Sequence, residues 1–262
     1  MPSSFGGEKY HKKLGFLKNI FGGNKKLQNP VNLGILKTDV HSHFIPGIDD
    51  GAQTIDDSIA LVTAMKELGY SKVITTPHIM GDTYRNGKHN ILPGLEKVRE
   101  AIKLNNIGIE IEAAAEYYID ADLEEKITKK DILTFGDSYV LFEMPFVAQP
   151  SNLGTVIFEL QMNGYKPVMA HVERYQFWHN DFNQIIDLKD KGVLIQMNIS
   201  SLTGTYSPQT KKIAEKMIDE KLVDLIGSDC HHLGHIELLK QACYLPYLEK
   251  VINTCNLINT KL

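Results

Sequence analysis

The chain has 262 residues, 43% of them hydrophobic, enough for one α/β-barrel domain or at most two smaller ones. Its formal net charge is −4 and its pI about 6.2, so no basic excess marks a nucleic-acid binder, and an anionic substrate would have to be drawn in by a local site. No apolar run approaches the roughly 18–20 residues of a membrane span, and Cys230, Cys243 and Cys255 form no CxxC pair; with no secretory signal either, a reducing cytoplasm is the expected location.

Residues 1–36 read differently from the rest. Leu14, Phe16, Leu17, Ile20 and Phe21 alternate with Lys12, Lys13, Lys18, Lys25 and Lys26, and Gly22-Gly23-Asn24 breaks any helix. The pattern fits a short amphipathic basic helix making weak contact with a membrane surface or a partner. It also fits a leader that packs on the following domain. The apolar face is too short to hold lipid strongly by itself.

From Gly34 onward the chain repeats one grammar, in which an apolar, β-branched run ends in polar residues and an amphipathic helical stretch follows; the domain itself is taken as 37–262. Strands are predicted at 35–41, 72–76, 108–113, 138–143, 167–170, 193–198 and 223–227. Helical periodicity falls at 55–68, 152–163 and 208–221, the last with Pro208 near its start. Alternating β and α segments with strands apolar on both faces imply a parallel sheet. Seven such units in this length favour a closed barrel over an open sheet.

The ionisable residues gather where these strands end. His41 and His43 close the first strand and His78 the second; Glu116 follows the third, Glu143 closes the fourth, His171 the fifth, and Asp229 and His231 follow the seventh. Strand C-termini of a parallel barrel lie at one face, where active sites are built. Residues spread from position 41 to 231 are thereby expected to converge on one cup. His41 and His43 are two apart, as are Asp229 and His231, and residues i and i+2 of a strand share a face. Imidazole with carboxylate suits zinc, manganese or iron better than calcium. A carboxylate such as Glu116 can bridge two ions ~3.5–4 Å apart that share an activated water.

Each residue has a plainer reading. A lone HxH is weak, and His78 after Thr-Thr-Pro could be a strand-end cap. Glu143 inside Val-Leu-Phe-Glu-Met-Pro is harder to set aside, because an unpaired buried carboxylate is costly. His171 has the same character. Jointly the chance reading is poor, since five of the ten histidines fall at strand ends. His11 lies in the leader, His89 and His179 in polar loops, and His232 and His235 after the last motif, where a solvated or supporting role is expected. Cys230 lies between two candidate ligands but on a strand would point away from both.

HSHFIPGIDDG at 41–51, TTPH at 75–78, AAEYY at 114–118, LFEMP at 141–145, AHVERY at 170–175 and GSDCHH at 227–232 resemble the PHP (polymerase and histidinol phosphatase) superfamily. Within it they resemble the bacterial manganese-dependent tyrosine phosphatases encoded with capsular and exopolysaccharide genes. The match runs from about Thr38 to the last strand, with the motifs in the family's order. It implies a distorted seven-stranded (β/α)7 PHP-type barrel and a trinuclear metal site. Carried over, the ligands are His41, His43, Asp50, His78, Glu116, Glu143, His171, Asp229 and His231, with Asp49 the weaker choice beside Asp50. One division puts His41, His43, Glu116 and Asp229 on a first ion, Glu116, Glu143 and His171 on a second, and Asp50, His78 and His231 on a third. Manganese is the implied metal, up to three ions per chain, with iron, zinc, cobalt or magnesium as alternatives.

Arg174 resembles the family's phosphate-contacting arginine; its plainer reading is a surface ion pair. A second arginine usual in the family after SDxHN is missing, the stretch here being His232-Leu233-Gly234-His235-Ile236-Glu237, so His235 is a candidate substitute donor. The implied reaction is hydrolysis of phosphotyrosine by a metal-activated hydroxide, on a protein such as the tail of a bacterial tyrosine kinase that regulates polysaccharide synthesis or export. A cysteine-phosphatase route is not suggested, since residues 236, 249 and 261, each six positions after a cysteine, are Ile, Glu and Lys. The rivals are a small-metabolite phosphatase, for example for histidinol phosphate, or a phosphodiesterase on the same barrel. An amidohydrolase is weaker, because no lysine is offered as a bridge. A catalytically silent phosphotyrosine-binding module would have little reason to keep the full ligand set.

Overall fold

The computed structural model describes residues 26–262; the basic stretch expected as an amphipathic helix lies outside them apart from Lys26. In chain order come strand β1 (Thr38–Asp39), helix α1 (Ile55–Glu67), β2 (Lys72–Thr75), β3 (His78–Ile79), α2 (Lys88–Leu104), β4 (Glu110–Ala113), β5 (Glu116–Tyr118) and α3 (Ala121–Lys129). There follow β6 (Tyr139–Glu143), α4 (Leu153–Met162), β7 (Lys166–Met169), α5 (Asn183–Asp190), β8 (Leu194–Asn198), α6 (Pro208–Asp219), β9 (Leu225–Gly227), α7 (Leu233–Ala242) and α8 (Pro246–Thr254). Short 3-10 turns fill several of the loops, including Val172–Arg174 and Ile199–Thr203.

All strand pairs are parallel, as the βα alternation requires. They form a three-stranded sheet, β1-β2-β4, and a six-stranded sheet, β3-β5-β6-β7-β8-β9. The strand count expected from sequence was seven, and the ladders among the described residues show nine. The difference arises where β2 and β4 stop and β3 and β5 begin. Pro77 lacks the N–H that would continue the ladder. Lys72 pairs with Glu110 before the break and His78 with Glu116 after it, so the same register is kept on both sides. β1 is also shorter than the expected 35–41, because Leu33–Leu36 forms a 3-10 turn whose Gly34 N–H is capped by the Asn32 side chain. The β9 end of the larger sheet meets the chain just beyond β1. Asp229 N–H donates to His41 O at 2.8 Å and His43 N–H to Cys230 O at 3.0 Å. Buried Asp39 accepts from Ser228 N–H and Oγ–H, both at 2.8 Å.

Two cores flank the strands. Val140, Phe142, Met169, Ile195 and Met197 belong to the main core, with the helices packed on it. Val40, Ile74, Ala114, Leu141, Val168, Ala170 and Leu225 form a separate small cluster. The alternation of a strand sorts the two: in β6, Leu141 joins the small cluster and Glu143, two residues on, shares its face. Gln196 and Asn198 likewise follow Leu194, which packs against that cluster. The polar cup therefore sits on the small core, over the strands' C-terminal ends. Leu33 and Leu36, upstream of β1, are buried in the main core, and Leu27 and Val31 bond to Tyr244 and Cys243 at the end of α7. No helix among the described residues is long and apolar enough to cross a membrane.

Candidate metal centre

Strands β3, β5 and β6, with the loops after β1, β7 and β9, bring the expected ligands together. His41 Nε2 lies 3.1 Å from Glu116 Oε2 and 3.4 Å from Asp229 Oδ1. His43 Nε2 lies 3.5 and 3.6 Å from the same two oxygens. His78 Nδ1 is 3.1 Å from Glu116 Oε2 and 3.0 Å from Glu143 Oε1, while its Nε2 is 3.5 Å from Asp50 Oδ1. His231 Nε2 reaches the same Asp50 oxygen at 3.4 Å. His171 Nε2 is 2.9 Å from Glu116 Oε1 and 3.6 Å from Glu143 Oε2. Glu116 thus stands at the centre, touched by four imidazoles.

Several of these contacts are not hydrogen bonds. The Nε2 atoms of His41 and His43, Nδ1 of His78, Oε2 of Glu116 and Oε1 of Glu143 are buried and have no hydrogen-bond partner. Orphaned buried donors and acceptors are expensive and call for an explanation. Here they all aim at one another across gaps that a cation would fill. Three sets of ligand atoms lie within 4.8 Å of one another: His43, Asp50, His78 and His231; His41, His43 and Glu116; and His78, Glu116 and Glu143. Nitrogen and oxygen donors without a thiolate fit a divalent transition ion of the manganese, iron or zinc kind.

The electrostatics agree. Burial alone would lower the pKa of His41, yet the Glu116 and Asp229 carboxylates raise it to about 9. Burial works against His78 too, and Glu116 and Glu143 raise it to about 10. His43 goes the other way, lowered to about 4 by burial and by the neighbouring His231. Glu143 is raised by burial and by the Glu116 charge beside it. Glu116 is lowered: burial opposes the shift, and His41 and His78 outweigh it. The carboxylates need positive charge in the cup, and protons on imidazole supply it when no ion does.

Supporting residues fix which nitrogen faces the cup. Gln196 Oε1 accepts from His41 Nδ1–H at 3.2 Å and from the His171 backbone N–H at 2.7 Å, leaving His41 Nε2 turned inward. Asp49 Oδ2 accepts from His43 Nδ1–H at 2.8 Å and from His78 N–H at 3.1 Å. Asp49 is therefore the supporting carboxylate, and the half-exposed Asp50 is the one that faces His78 and His231. Asn198 Nδ2 donates to Asp229 Oδ2 at 2.7 Å. Gly51 lies so close to His43 that a Cβ there would fall 2.2 Å from His43 O. His171 and Asp229 hold left-handed backbone, φ 34° and 49°, which is strained for residues with a Cβ.

Gln196, Asn198 and Asp49 hydrogen-bond residues of the cup and were not singled out as supports from sequence. The polar i, i+2 pair Gln196 and Asn198 in an otherwise apolar strand was a usable signal. Arg174 enters from the turn after β7. Its Nη1 donates to Asp229 Oδ2 at 2.9 Å, and its guanidinium carbon lies 4.7 and 4.3 Å from the ring centres of Phe146 and Tyr206. His235 Nδ1 sits 3.0 Å from Asp229 O and 3.2 Å from His231 N, so its ring is fixed at the cavity wall. Cys230 is fully buried in the main core, away from the cup. His179 Nε2–H donates to Glu173 O, outside the cup, and His89 lies in helix α2 rather than a loop. The cup opens into a cavity of about 410 Å³ whose walls include Tyr84, Phe146, Arg174, Tyr206 and His235.

Residues 37–254 match the family described as capsular polysaccharide synthesis, CpsB/CapC. The chain belongs to this family. Among its CpsB/CapC relatives, the tyrosine-protein phosphatase YwqE of Bacillus subtilis (strain 168) is 28% identical over 196 residues, 74% of this chain and 77% of YwqE. The tyrosine-protein phosphatase CpsB of Streptococcus pneumoniae is 30% identical over 212 residues, 79% of this chain and 87% of CpsB. A crystal structure from work on YwqE and CpsB, described there as unique metal-dependent tyrosine phosphatases, superposes with a TM-score of 0.75 at 25% identity, covering 86% of this chain and 90% of that one. The lactonase Lmo2620 from Listeria monocytogenes, at 11% identity and TM-score 0.51 over 87% of this chain and 94% of its own, shares the fold alone.

Proposed function

We propose that the chain is a metal-dependent protein-tyrosine phosphatase, with His41, His43, Asp50, His78, Glu116, Glu143, His171, Asp229 and His231 as its metal ligands. The carrying observation is the set of orphaned imidazole and carboxylate atoms converging on Glu116, in a chain whose CpsB/CapC relatives are named tyrosine phosphatases. We further infer that the two sheets form one distorted PHP-type barrel and that manganese is the resident metal, up to three ions.

When bound, the ions would supply Lewis acidity toward the phosphate oxygens and an acidified water as nucleophile. The chain's own part is positioning and charge. Asp49, Gln196 and Asn198 hold the first-strand imidazoles and Asp229 in place before any substrate arrives. Arg174 is clamped through Nη1 and its two flanking rings, and its other N–H groups make no hydrogen bond among the described residues. They are free to donate to a phosphate oxygen. His235 offers a second donor at the wall where the family's other arginine is missing.

Phe146 stacks on His171 with ring centres 5.5 Å apart, and Tyr84 stacks on His78 at the same separation. Both rings line the cavity, so a substrate phenol ring has aromatic walls beside it. A phenol of pKa about 10 is also a better leaving group than a serine alcohol. The substrate is accordingly a phosphotyrosine-bearing protein, and a bacterial tyrosine kinase tail that governs polysaccharide synthesis or export is the partner we infer, in the cytoplasm. Any contact of the leader with a membrane surface would be weak.

The test uses purified chain stripped with a chelator and reloaded with manganese. It is offered a tyrosine-phosphorylated peptide, histidinol phosphate and a short DNA strand. Hydrolysis of the peptide above the others, lost on stripping and restored by manganese, is expected. Glu116→Gln should abolish it while circular dichroism stays native. Chelator-resistant turnover, or full activity in folded Glu116→Gln, would sink the bridged-metal reading.

A further inference from the structure

Beyond the catalytic cup, the loop that leaves β6 places two apolar side chains in solvent. Phe146 is 45% exposed and Val147 89%. Phe146 is half committed, with one face toward His171 and Arg174. Val147 has no such engagement. Between this loop and α6 lies a second cavity of about 310 Å³, lined by Phe146, Val147, Arg174, Gln176, Tyr206 and Thr210. Phe146, Arg174 and Tyr206 line the catalytic cavity as well, so the two are neighbours across a shared wall.

The chemistry of the two cavities differs. The catalytic one is lined by imidazoles and carboxylates. The second has no Asp, Glu, Lys or His in its lining, and its one charge, Arg174, is held between two rings, with Nη1 on Asp229 and its remaining donors assigned above to the substrate phosphate. What remains is Phe146, Val147 and the ring of Tyr206, with Gln176 and Thr210 as neutral polar groups. An apolar group can cover the part of the wall made by Phe146, Val147 and the Tyr206 ring, where two apolar side chains stand exposed.

We propose that this second cavity is a subsite for an apolar side chain of the substrate polypeptide, next to the phosphotyrosine. The proposal rests on the phosphotyrosine reading above. A phosphotyrosine whose phosphate reaches the cup must carry its backbone across the rim. An extended chain advances about 3.3 Å per residue, so side chains within about three positions of the tyrosine can reach a neighbouring cavity. Continuity with the catalytic cavity selects the substrate chain as occupant over an unrelated ligand. Small phosphate esters have nothing to place there, so the subsite would separate a phosphotyrosine protein from a phosphorylated metabolite.

The experiment compares free phosphotyrosine with a set of phosphotyrosine peptides in which Leu or Glu is scanned through the flanking positions, using manganese-loaded chain. At one position or more, the Leu peptide should exceed the Glu peptide about tenfold in kcat/KM, the size expected for a partly buried apolar side chain. Val147→Asp should erase that preference through KM, and leave kinetics on free phosphotyrosine unchanged. Gln176→Glu, at an exposed position of the same wall, should do the same. Equal rates for the Leu and Glu peptides at every position, with free phosphotyrosine still hydrolysed, would overturn the subsite alone. So would a preference that survives both substitutions. If Val147→Asp instead abolishes a concentration-dependent dimer without touching peptide selectivity, the patch is a contact between copies of this chain and the subsite is wrong. No turnover of any phosphotyrosine compound would overturn the functional reading itself.

Discussion

Arg174 illustrates how a residue read two ways from sequence can satisfy both. It makes an ion pair, but with Asp229, whose other oxygen points at His41 and His43. Its charge therefore bears on the cup from 2.9 Å while its fork stays open to the cavity. Lysine could keep the charge but not the planar fork or its stacking between Phe146 and Tyr206. Arg174→Lys should lower kcat/KM on a phosphotyrosine peptide by about tenfold to a thousandfold, roughly 1.4–4 kcal/mol of transition-state stabilisation. Metal content should hold, because Asn198 still donates to the same Asp229 oxygen. Steady-state kinetics with metal analysis of the same preparation checks both points, and unchanged kinetics would remove Arg174 from the phosphate site. His235 is a different kind of donor. Burial and its neighbours His232 and His231 lower its pKa, so at neutral pH it acts as a neutral imidazole rather than a cation. At this scale the residues that converge in the cup were legible because they stand in short, spaced motifs. Asp49 was visible but assigned less weight than its neighbour, since sequence cannot say which of two adjacent aspartates turns inward.

Strand β8 shows what a single element contributes. Ile195 and Met197 pack outward into the main core, and Gln196 and Asn198 take the opposite face beneath the cup. One side-chain oxygen of Gln196 then serves both ends of the site: the His41 ring and the left-handed backbone of His171. Gln196→Leu keeps the volume and removes both bonds, together with the Nε2–H donation to Asn198 Oδ1. It leaves His41 Nδ1–H and His171 N–H without partners in a buried setting, about 1–3 kcal/mol for each. A drop in melting temperature and a weaker manganese affinity, read by titration of the stripped protein, should follow together. A variant that melts like the parent and binds manganese as tightly would show that the His41 tautomer is fixed by something else. The partner of His41 lies 155 residues away in the chain, and no local pattern announces such a pairing. The strand itself was read correctly within a residue at each end. The division into two sheets was not, because Pro77 interrupts hydrogen bonding without disturbing the register that an apolar run records. The 3-10 turn at Leu33–Leu36 escaped for a related reason: its apolar residues look like the start of a strand, and the cap that opens the turn is one asparagine.

Over the whole molecule the charge is nearly balanced, −4 in 262 residues, yet Asp50, Glu116, Glu143 and Asp229 are gathered in one cup. That concentration ties stability to whatever neutralises it. A manganese concentration about a hundredfold above the dissociation constant would stabilise the fold by about 2.7 kcal/mol, a melting shift of roughly 5–10 °C for a domain of this size. The shift should depend on pH, with a sign set by the imidazoles. Without metal, His41 and His78 stand at about 9 and 10 in the folded chain, raised by the carboxylates against the effect of burial. Unfolded, each returns to about 6.5. Between these limits the folded chain binds more protons than the unfolded one, so the stability they lend is complete below about pH 6.5 and drains away as pH rises through 9 and 10. His43, lowered to about 4, titrates below this window and does not enter it. Metal replaces those protons, and a loaded site no longer has them to lose. The gap in melting temperature between manganese-loaded and chelator-stripped protein should therefore widen from pH 6 to pH 9. Scanning calorimetry of both forms across that range is the measurement. A gap that narrows toward pH 9 would mean that manganese does not displace the protons of His41 and His78, and that these imidazoles are not its ligands.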